Sequence, residues 1–264
     1  MRKVVVALIA AGGGIIAGSV LADGLVFQLP PDGAWARYSV HTEGEFGDGK
    51  GPWQKVATEG TLTISSVGAV TRNEQRCRWI ELKSESTAKG PYPKLVLKVL
   101  VPEERLGRGQ DPLSHAVLTF FNPKPVDAKQ MESFIDEGFN RVQYEIDRFR
   151  DVFPKTLDNL KNLQRETAES LADKFEGCEV LTGTSDYDGP LLNKGRGVFK
   201  ANYRIILHPK APFGVVSMQI ESDGREFSGT GVTVSVKLKK TLTLDGTGKN
   251  AVSDLPTKVG EASN

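Results

Sequence analysis

The sequence contains few residues whose types and spacing could support catalysis. Ser86 and Lys89 have the Ser-x-x-Lys spacing, in which a lysine one helical turn away activates a nucleophilic serine. They fall in a polar stretch just before Gly90, and neither Ser-Asp-Asn nor Lys-Thr-Gly occurs elsewhere in the chain. Because a match at two positions arises readily by chance, this motif does not predict an acyl-enzyme.

Acidic residues offer a second possible chemistry. Glu43, Glu45 and Asp48 could include the paired carboxylates of a glycoside hydrolase, which must face each other across a cleft. The segment 186–189, Asp-Tyr-Asp-Gly, resembles the first half of a calcium-binding loop, but no glutamate stands at its twelfth place. An acidic turn is the simpler interpretation, and an exported hydrolase is the third of three functional hypotheses.

The sequence contains no recognisable motif for binding a metal or a cofactor. His41, His115 and His208 are isolated, without a second histidine or a cysteine at metal-ligand spacing. The sequence also has no phosphate-binding loop and no dinucleotide-binding fingerprint. We therefore assign no catalytic residue, no metal site and no cofactor, and the sequence disfavours an enzyme.

The two cysteines, Cys77 and Cys178, allow two interpretations. In an oxidising compartment they could form one disulfide that closes a long loop, which stabilises a protein by about 4–5 kcal/mol in the chain-entropy model. They could equally be buried free thiols that pack as small apolar side chains. The sequence does not decide between these alternatives, because it gives no distance between the two Cα atoms.

The first residues have the pattern of a secretory signal peptide. Positively charged Arg2 and Lys3 precede an uncharged stretch from Val4 to Val20, and Ala22 ends a small-residue cleavage site. We expect cleavage after Ala22 and a mature chain that begins at Asp23, located in the periplasm or outside the cell. A retained N-terminal membrane anchor is the minor alternative, which the glycines at 12, 13, 14 and 18 weaken as a stable helix.

Composition excludes some classes of partner. The 264 residues carry 34 Lys and Arg against 33 Asp and Glu, so there is no basic field for nucleic-acid binding. No stretch of the mature chain is long and apolar enough to span a membrane as a helix.

The 28 glycines and 14 prolines indicate many turns, and therefore a chain rich in β-structure.

Hydrophobic periodicity predicts two blocks of β-strands. In the first block, about 34–121, apolar side chains alternate with polar ones in several runs separated by glycine-rich turns. The second block, about 199–244, alternates more cleanly, and within 232–244 only Lys240 departs from the apolar parity. A continuous strand over 232–244 would contain thirteen residues. Strands of that length require twist and coil, which predicts a large, curved, half-barrel-like antiparallel sheet.

Between these blocks the period changes to that of a helix. Apolar residues from Met131 to Phe153 recur every three or four positions, Pro154 interrupts them, and Leu157, Leu160 and Leu171 continue towards Gly177. We therefore predict an α+β fold, in which a helical hairpin or a proline-kinked helix at about 127–176 is inserted between the β blocks. Residues 23–245 would form one domain, and 246–264 a polar C-terminal tail.

Three segments together resemble a set of exported bacterial proteins of unassigned function. They are 100–109 with the following 111–115, then Ala-Pro-Phe-Gly-Val-Val at 211–216, and finally 244–256. The layout of long antiparallel strands with helices between them is also similar to the lipoprotein-carrier half-barrel of the LolA and LolB kind. The resemblance to carriers implies an apolar ligand, and neither resemblance brings an activity.

These observations favour a non-enzymatic bacterial envelope protein that binds a lipid or another apolar ligand on the concave face of its sheet. The residues expected to line that face are Tyr203, Ile205, Met218, Ile220, Val234 and Val236. The alternative is a structural or protein-interaction module whose core is filled, with another envelope protein as its partner. In that case the same six residues are ordinary core.

Overall fold

Ten antiparallel strands form one sheet in the computed structural model, which describes residues 26–48, 50–86, 94–107, 115–124, 160–170, 175–190, 196–227 and 233–255. The strands of this part of the chain are β1 (Trp35–Gly47), β2 (Gln54–Arg72), β3 (Gln75–Ser86), β4 (Lys94–Pro102), β5 (Leu118–Lys124), β6 (Lys161–Ser170), β7 (Glu176–Pro190), β8 (Arg196–Leu207), β9 (Val215–Phe227) and β10 (Thr233–Gly248). A 3₁₀ turn, Glu103–Arg105, follows β4.

The strand order places the first strand of the sheet beside the last one. The order is β5-β4-β3-β2-β1-β10-β9-β8-β7-β6, so β1 and β10 pair at the centre while β5 and β6 are the edges. Each half is an antiparallel meander in which consecutive strands are neighbours. The halves are joined by the β1–β10 ladder, which runs from Trp35 opposite Gly248 to Gly47 opposite Ser235.

The prediction of an α+β fold with an inserted helical hairpin is wrong. The described residues contain no α-helix, and Lys161–Ser170 is an edge strand that pairs with β7. Its side chains from 161 to 167 are all exposed, so no buried face imposes a period of two on its sequence. Gly177, predicted to end a helix, is instead the second residue of β7, with a φ of 73°. The stripe from Met131 to Phe153 lies outside the described residues.

One face of the sheet, here called the inner face, is apolar and buried. Along β1, Tyr38, Val40 and Thr42 are buried while Ser39 and Glu43 are exposed. Directly opposite residues in an antiparallel ladder point to the same side of the sheet, so the register carries this face from β1 to its neighbours. The alternation predicted from the sequence is therefore the alternation between the inner face and the opposite, outer face.

Residues outside the strands cover one end of the inner face, here called the capped end. Phe27 donates its backbone N–H to the carbonyl of Phe213 at 2.8 Å, and the Gln28 amide donates to the carbonyl of Pro209 at 3.1 Å. Val26, Phe27, Leu106 and Phe213 pack against the inner-face side chains there. At the opposite end, here called the far end, Val234 and Phe199 on the inner face are only half-buried.

The C-terminal segment docks on the outer face. Ser253 lies 2.6 Å from the buried Glu81 carboxylate, to which the Asp254 N–H donates at 3.1 Å. The buried Lys98 ammonium donates to Ser253 Oγ at 2.9 Å and to the Leu255 carbonyl at 3.4 Å. Residues 246–248, assigned to a polar tail from the sequence, are the end of β10. Residues 253–255 satisfy two buried charges, which the outer face could not otherwise bury at low cost.

We expect Ser253→Ala to lower the free energy of unfolding by about 1–3 kcal/mol, because it leaves two buried charged groups one hydrogen bond short. Urea denaturation followed by circular dichroism measures this change. Val252→Ala is the matched control, since Val252 is 84% exposed and lies next to Ser253. Equal midpoints for the two variants would show that the docked segment does not stabilise the sheet.

Candidate functional site

The inner face forms one continuous apolar surface to which eight of the strands contribute. Buried side chains of β1–β4 and β7–β10 belong to the same cluster, together with the capping residues. Its fully buried members include Tyr38, Leu62, Ile64, Ile80, Val99 and Leu242. The surface is apolar because each strand places aliphatic or aromatic side chains at every second position, as expected for a sheet with one buried face.

The structure places all six residues predicted to line a ligand on this face. Tyr203 lies opposite Ile220, and Ile205 opposite Met218, in the β8–β9 ladder. Val234 and Val236 lie on the same side of the neighbouring β10, towards the far end. Five of the six are buried and Val234 is half-buried. The sequence therefore identified neighbours on one surface; contact with a ligand stays a prediction.

A polar pair interrupts this apolar surface on the two central strands. Thr42 of β1 lies directly opposite Lys240 of β10, and both are buried, with exposed fractions of 4% and 0%. In that part of the chain which the structure describes, neither Lys240 Nζ nor Thr42 Oγ1 has a hydrogen-bond partner. Buried polar side chains are nearly always hydrogen-bonded, so an unpartnered pair calls for an explanation.

The neighbours of Lys240 on β9 and β10 are apolar, whereas Thr58 of β2 lies opposite Thr42. Leu238 and Leu242 lie two residues away from Lys240 on the same side of β10, and Ile220 lies opposite it on β9. Burial lowers the pKa of Lys240 well below its usual range, because the charged ammonium loses its hydration. The sequence signal for this site was the break in the parity of β10 at Lys240. Thr42 had no such signal, since threonine is common in strands.

A second buried lysine, unlike Lys240, has hydrogen-bond partners for its ammonium group. Lys98 of β4 is also fully buried, but it lies on the outer face, opposite Glu81 of β3. Its ammonium donates to Ser253 and lies 5.1 Å from the centre of the Trp79 ring. Lys98 therefore has a structural explanation, whereas Lys240 has none among the described residues.

The inner face carries a carboxylate near the far end. Glu226 of β9 lies opposite Val234 and Gly197, and burial raises its pKa. It lies six residues along β9 from Ile220, the neighbour of Lys240, which corresponds to about 20 Å at 3.4 Å per residue. At that distance Glu226 cannot serve as the counterion of Lys240.

Two of the acidic residues considered for hydrolysis lie in surface ion pairs. Glu45 bonds Lys55 at 2.9 Å, Asp186 bonds Lys161 at 2.8 Å, and all these groups lie at the surface. The hydrogen bond from Lys161 lowers the pKa of Asp186, whereas a general acid needs a raised one. Throughout the described ranges, no group of three or more His, Cys, Asp and Glu side chains is placed to hold a metal.

Both cysteines are free, buried thiols in this structure. Cys77 of β3 packs with Trp79 and Leu100, whereas Cys178 of β7 packs with Val180 in a separate cluster. Five strands lie between β3 and β7 in the sheet. The disulfide considered from the sequence is therefore not formed, and burial raises the pKa of both thiols, which makes them less reactive.

Comparison with known proteins identifies no family. No family model and no curated protein matches this chain. Among solved structures, lipovitellin, studied for lipid–protein interactions, matches 88% of this chain with 14% identity and a TM-score of 0.36. This chain covers only 27% of that lipovitellin chain.

A candidate exported protein with a YmcC-like fold from Bacteroides fragilis is also similar. It matches 85% of this chain and 99% of its own, with 8% identity and a TM-score of 0.21. Neither similarity is strong enough to carry an argument about fold or function. A search of the described residues for a helix able to cross a membrane gave none.

Proposed function

We propose that this chain is an exported, non-enzymatic envelope protein that binds a lipid or another apolar ligand on its inner face. The observation that carries the proposal is the continuous apolar surface that eight strands present on one side of a single sheet. Export is supported by the signal-peptide pattern before Asp23, which lies outside the described residues.

A single sheet must bury its apolar face against another layer. Among the described residues outside the strands, Val26, Phe27, Leu106 and Phe213 cover the capped end, and Ala116 and Leu160 also pack against this cluster. An acyl chain along the rest of the face would gain about 0.8 kcal/mol for each methylene group removed from water. The alternative, a structural or interaction module, requires the protein itself to fill the same space.

Native mass spectrometry of the mature protein, recovered from the exported fraction and followed by solvent extraction, tests the proposal. We expect a reproducible lipid at near one-to-one stoichiometry, and a raised melting temperature when an acyl ligand is added to delipidated protein. A folded protein without lipid, whose melting temperature does not respond to acyl ligands, would leave the interaction module as the better hypothesis.

A matched pair of substitutions on β8 locates the binding surface. Ala201 is buried on the inner face, opposite Ser222, whereas its neighbour Asn202 is exposed on the outer face. We expect Ala201→Trp to occupy space on the inner face and to weaken binding of a fluorescent polyene fatty acid at least tenfold, equivalent to about 1.4 kcal/mol. Asn202→Trp should bind as the wild type does, and equal binding by both variants would place the ligand elsewhere.

A further inference from the structure

We propose that Lys240 and Thr42 are the head-group anchor of the inner face, and that they select a single-chain ligand with a carboxylate head. This inference rests on the proposed function, because it names the ligand class for the same surface. It begins from two unpartnered polar atoms, Nζ and Oγ1, whose residues lie opposite each other on the two central strands.

The pair has the chemistry of a carboxylate site. An ammonium and a hydroxyl can each donate one hydrogen bond, and a carboxylate offers two oxygens that accept them. The Cβ atoms of directly opposite residues are about 5 Å apart, so one small head group can reach both side chains. One lysine balances one negative charge, which favours a carboxylate over a doubly charged phosphate monoester.

The apolar surroundings explain why the rest of the ligand should be a hydrocarbon chain. Leu238, Leu242 and Ile220 flank Lys240, and the inner face continues along β10 from there to Val236 and Val234. Lys240 is fully buried, so the site is already shielded from water. This shielding strengthens the hydrogen bonds and the ion pair that a bound carboxylate would form there.

The lowered pKa of Lys240 agrees with an anchor that lacks its anion. A carboxylate placed beside it would favour the ammonium form and raise that pKa again. The described residues supply no such anion, since the inner-face carboxylate of Glu226 is about 20 Å away. In this proposal, the ligand supplies that charge.

Isothermal titration of delipidated protein with three probes that share one chain tests the anchor: dodecanoate, dodecanol and dodecyl phosphate. We expect dodecanoate to bind about 10- to 100-fold more tightly than dodecanol, as for a hydrogen bond to a charged group. Lys240→Met should remove this preference by weakening the binding of dodecanoate much more than that of dodecanol. Thr42→Val should reduce the preference by a smaller factor.

Lys98→Met is the control, because Lys98 is equally buried but lies on the outer face. It should keep the wild-type preference for dodecanoate. Equal affinities of the wild type for dodecanoate and dodecanol would overturn the anchor while the proposed function stands. A preference for dodecyl phosphate would overturn the carboxylate assignment. If no probe binds the wild type, the proposed function fails, and the anchor fails with it.

Discussion

Lys240→Met should make the ligand-free protein more stable, by about 1–4 kcal/mol at neutral pH, because methionine fills similar space without a buried charge. Most substitutions of fully buried residues destabilise a protein, so the sign of this effect is diagnostic. Urea denaturation of delipidated wild type and variant measures it. A residue that costs stability and has no structural partner is typical of a functional site.

The same substitution should change how stability depends on pH. The pKa of Lys240 is lowered in the folded state from its usual value of 10.5, so between these two values the unfolded chain binds the extra proton. The stability of the wild type must therefore rise with pH across that window. We expect a flatter profile for Lys240→Met, seen as a difference curve that shrinks as the pH approaches 10.5.

Lys98→Met again provides the matched comparison, and here its effect should have the opposite sign. The Lys98 ammonium bonds Ser253 and Leu255, so its removal takes away hydrogen bonds that the docked segment makes. We expect a loss of about 1–3 kcal/mol. A destabilised Lys240→Met variant would mean that Lys240 has a favourable interaction in the folded protein, and would contradict the interpretation of an unsatisfied group.

Glu103→Gln should cost about 2–4 kcal/mol, because it removes the charge that balances a buried arginine. Arg78 is only 5% exposed, and its Nη2 and Nε atoms donate to Glu103 Oε1 at 2.5 and 3.0 Å. A second carboxylate, that of Asp32, lies 3.6 Å from Arg78 Nη1 and is more than half exposed. Glutamine keeps the shape of the side chain but leaves Arg78 with a neutral acceptor.

The adjacent Glu104 supplies the control for this substitution. Its side chain is 63% exposed and lies 3.8 Å from Arg105, a surface pair of the kind that contributes little to stability. Glu104→Gln should therefore unfold at nearly the urea concentration of the wild type. If Glu103→Gln does the same, the buried pair between the 3₁₀ turn and β3 is not a major source of stability.

The inner face could be predicted from the sequence because one face of each central strand is buried and the other is exposed. Because of that contrast, Met218, Ile220 and Val236 follow a clear alternation of apolar and polar residues in the sequence. Lys240 is recognisable as an exception to the same alternation. β4 reads as a nearly continuous apolar run because Val99 lies on the inner face while Leu100 packs with Trp79 on the outer face. Periodicity alone does not reveal which layers cover such a strand.

The rest of the fold depends on contacts that local sequence does not encode. In the edge strand β6, the side chains of 161–167 are all exposed, so no period of two marks this segment as a strand. Leu160, just before it, fits the spacing of the preceding apolar residues, and that spacing predicts a helix. The pairing of β1 with β10 joins residues roughly 200 positions apart in the chain, and no local pattern specifies it. The pairing of Thr42 with Lys240 follows from that ladder, so the second half of the candidate anchor could not be found from sequence.

The central position of β1 and β10 has a consequence for the order in which this protein can assemble. Each half-sheet is a meander of sequential hairpins that can form from nearby residues, whereas the β1–β10 seam must close a loop of nearly 200 residues between Gly47 and Ser235. Before closure, both halves present a long unpaired edge. Thr42 and Lys240 stand on opposite sides of that seam, so the candidate anchor comes into existence only when the two halves have joined.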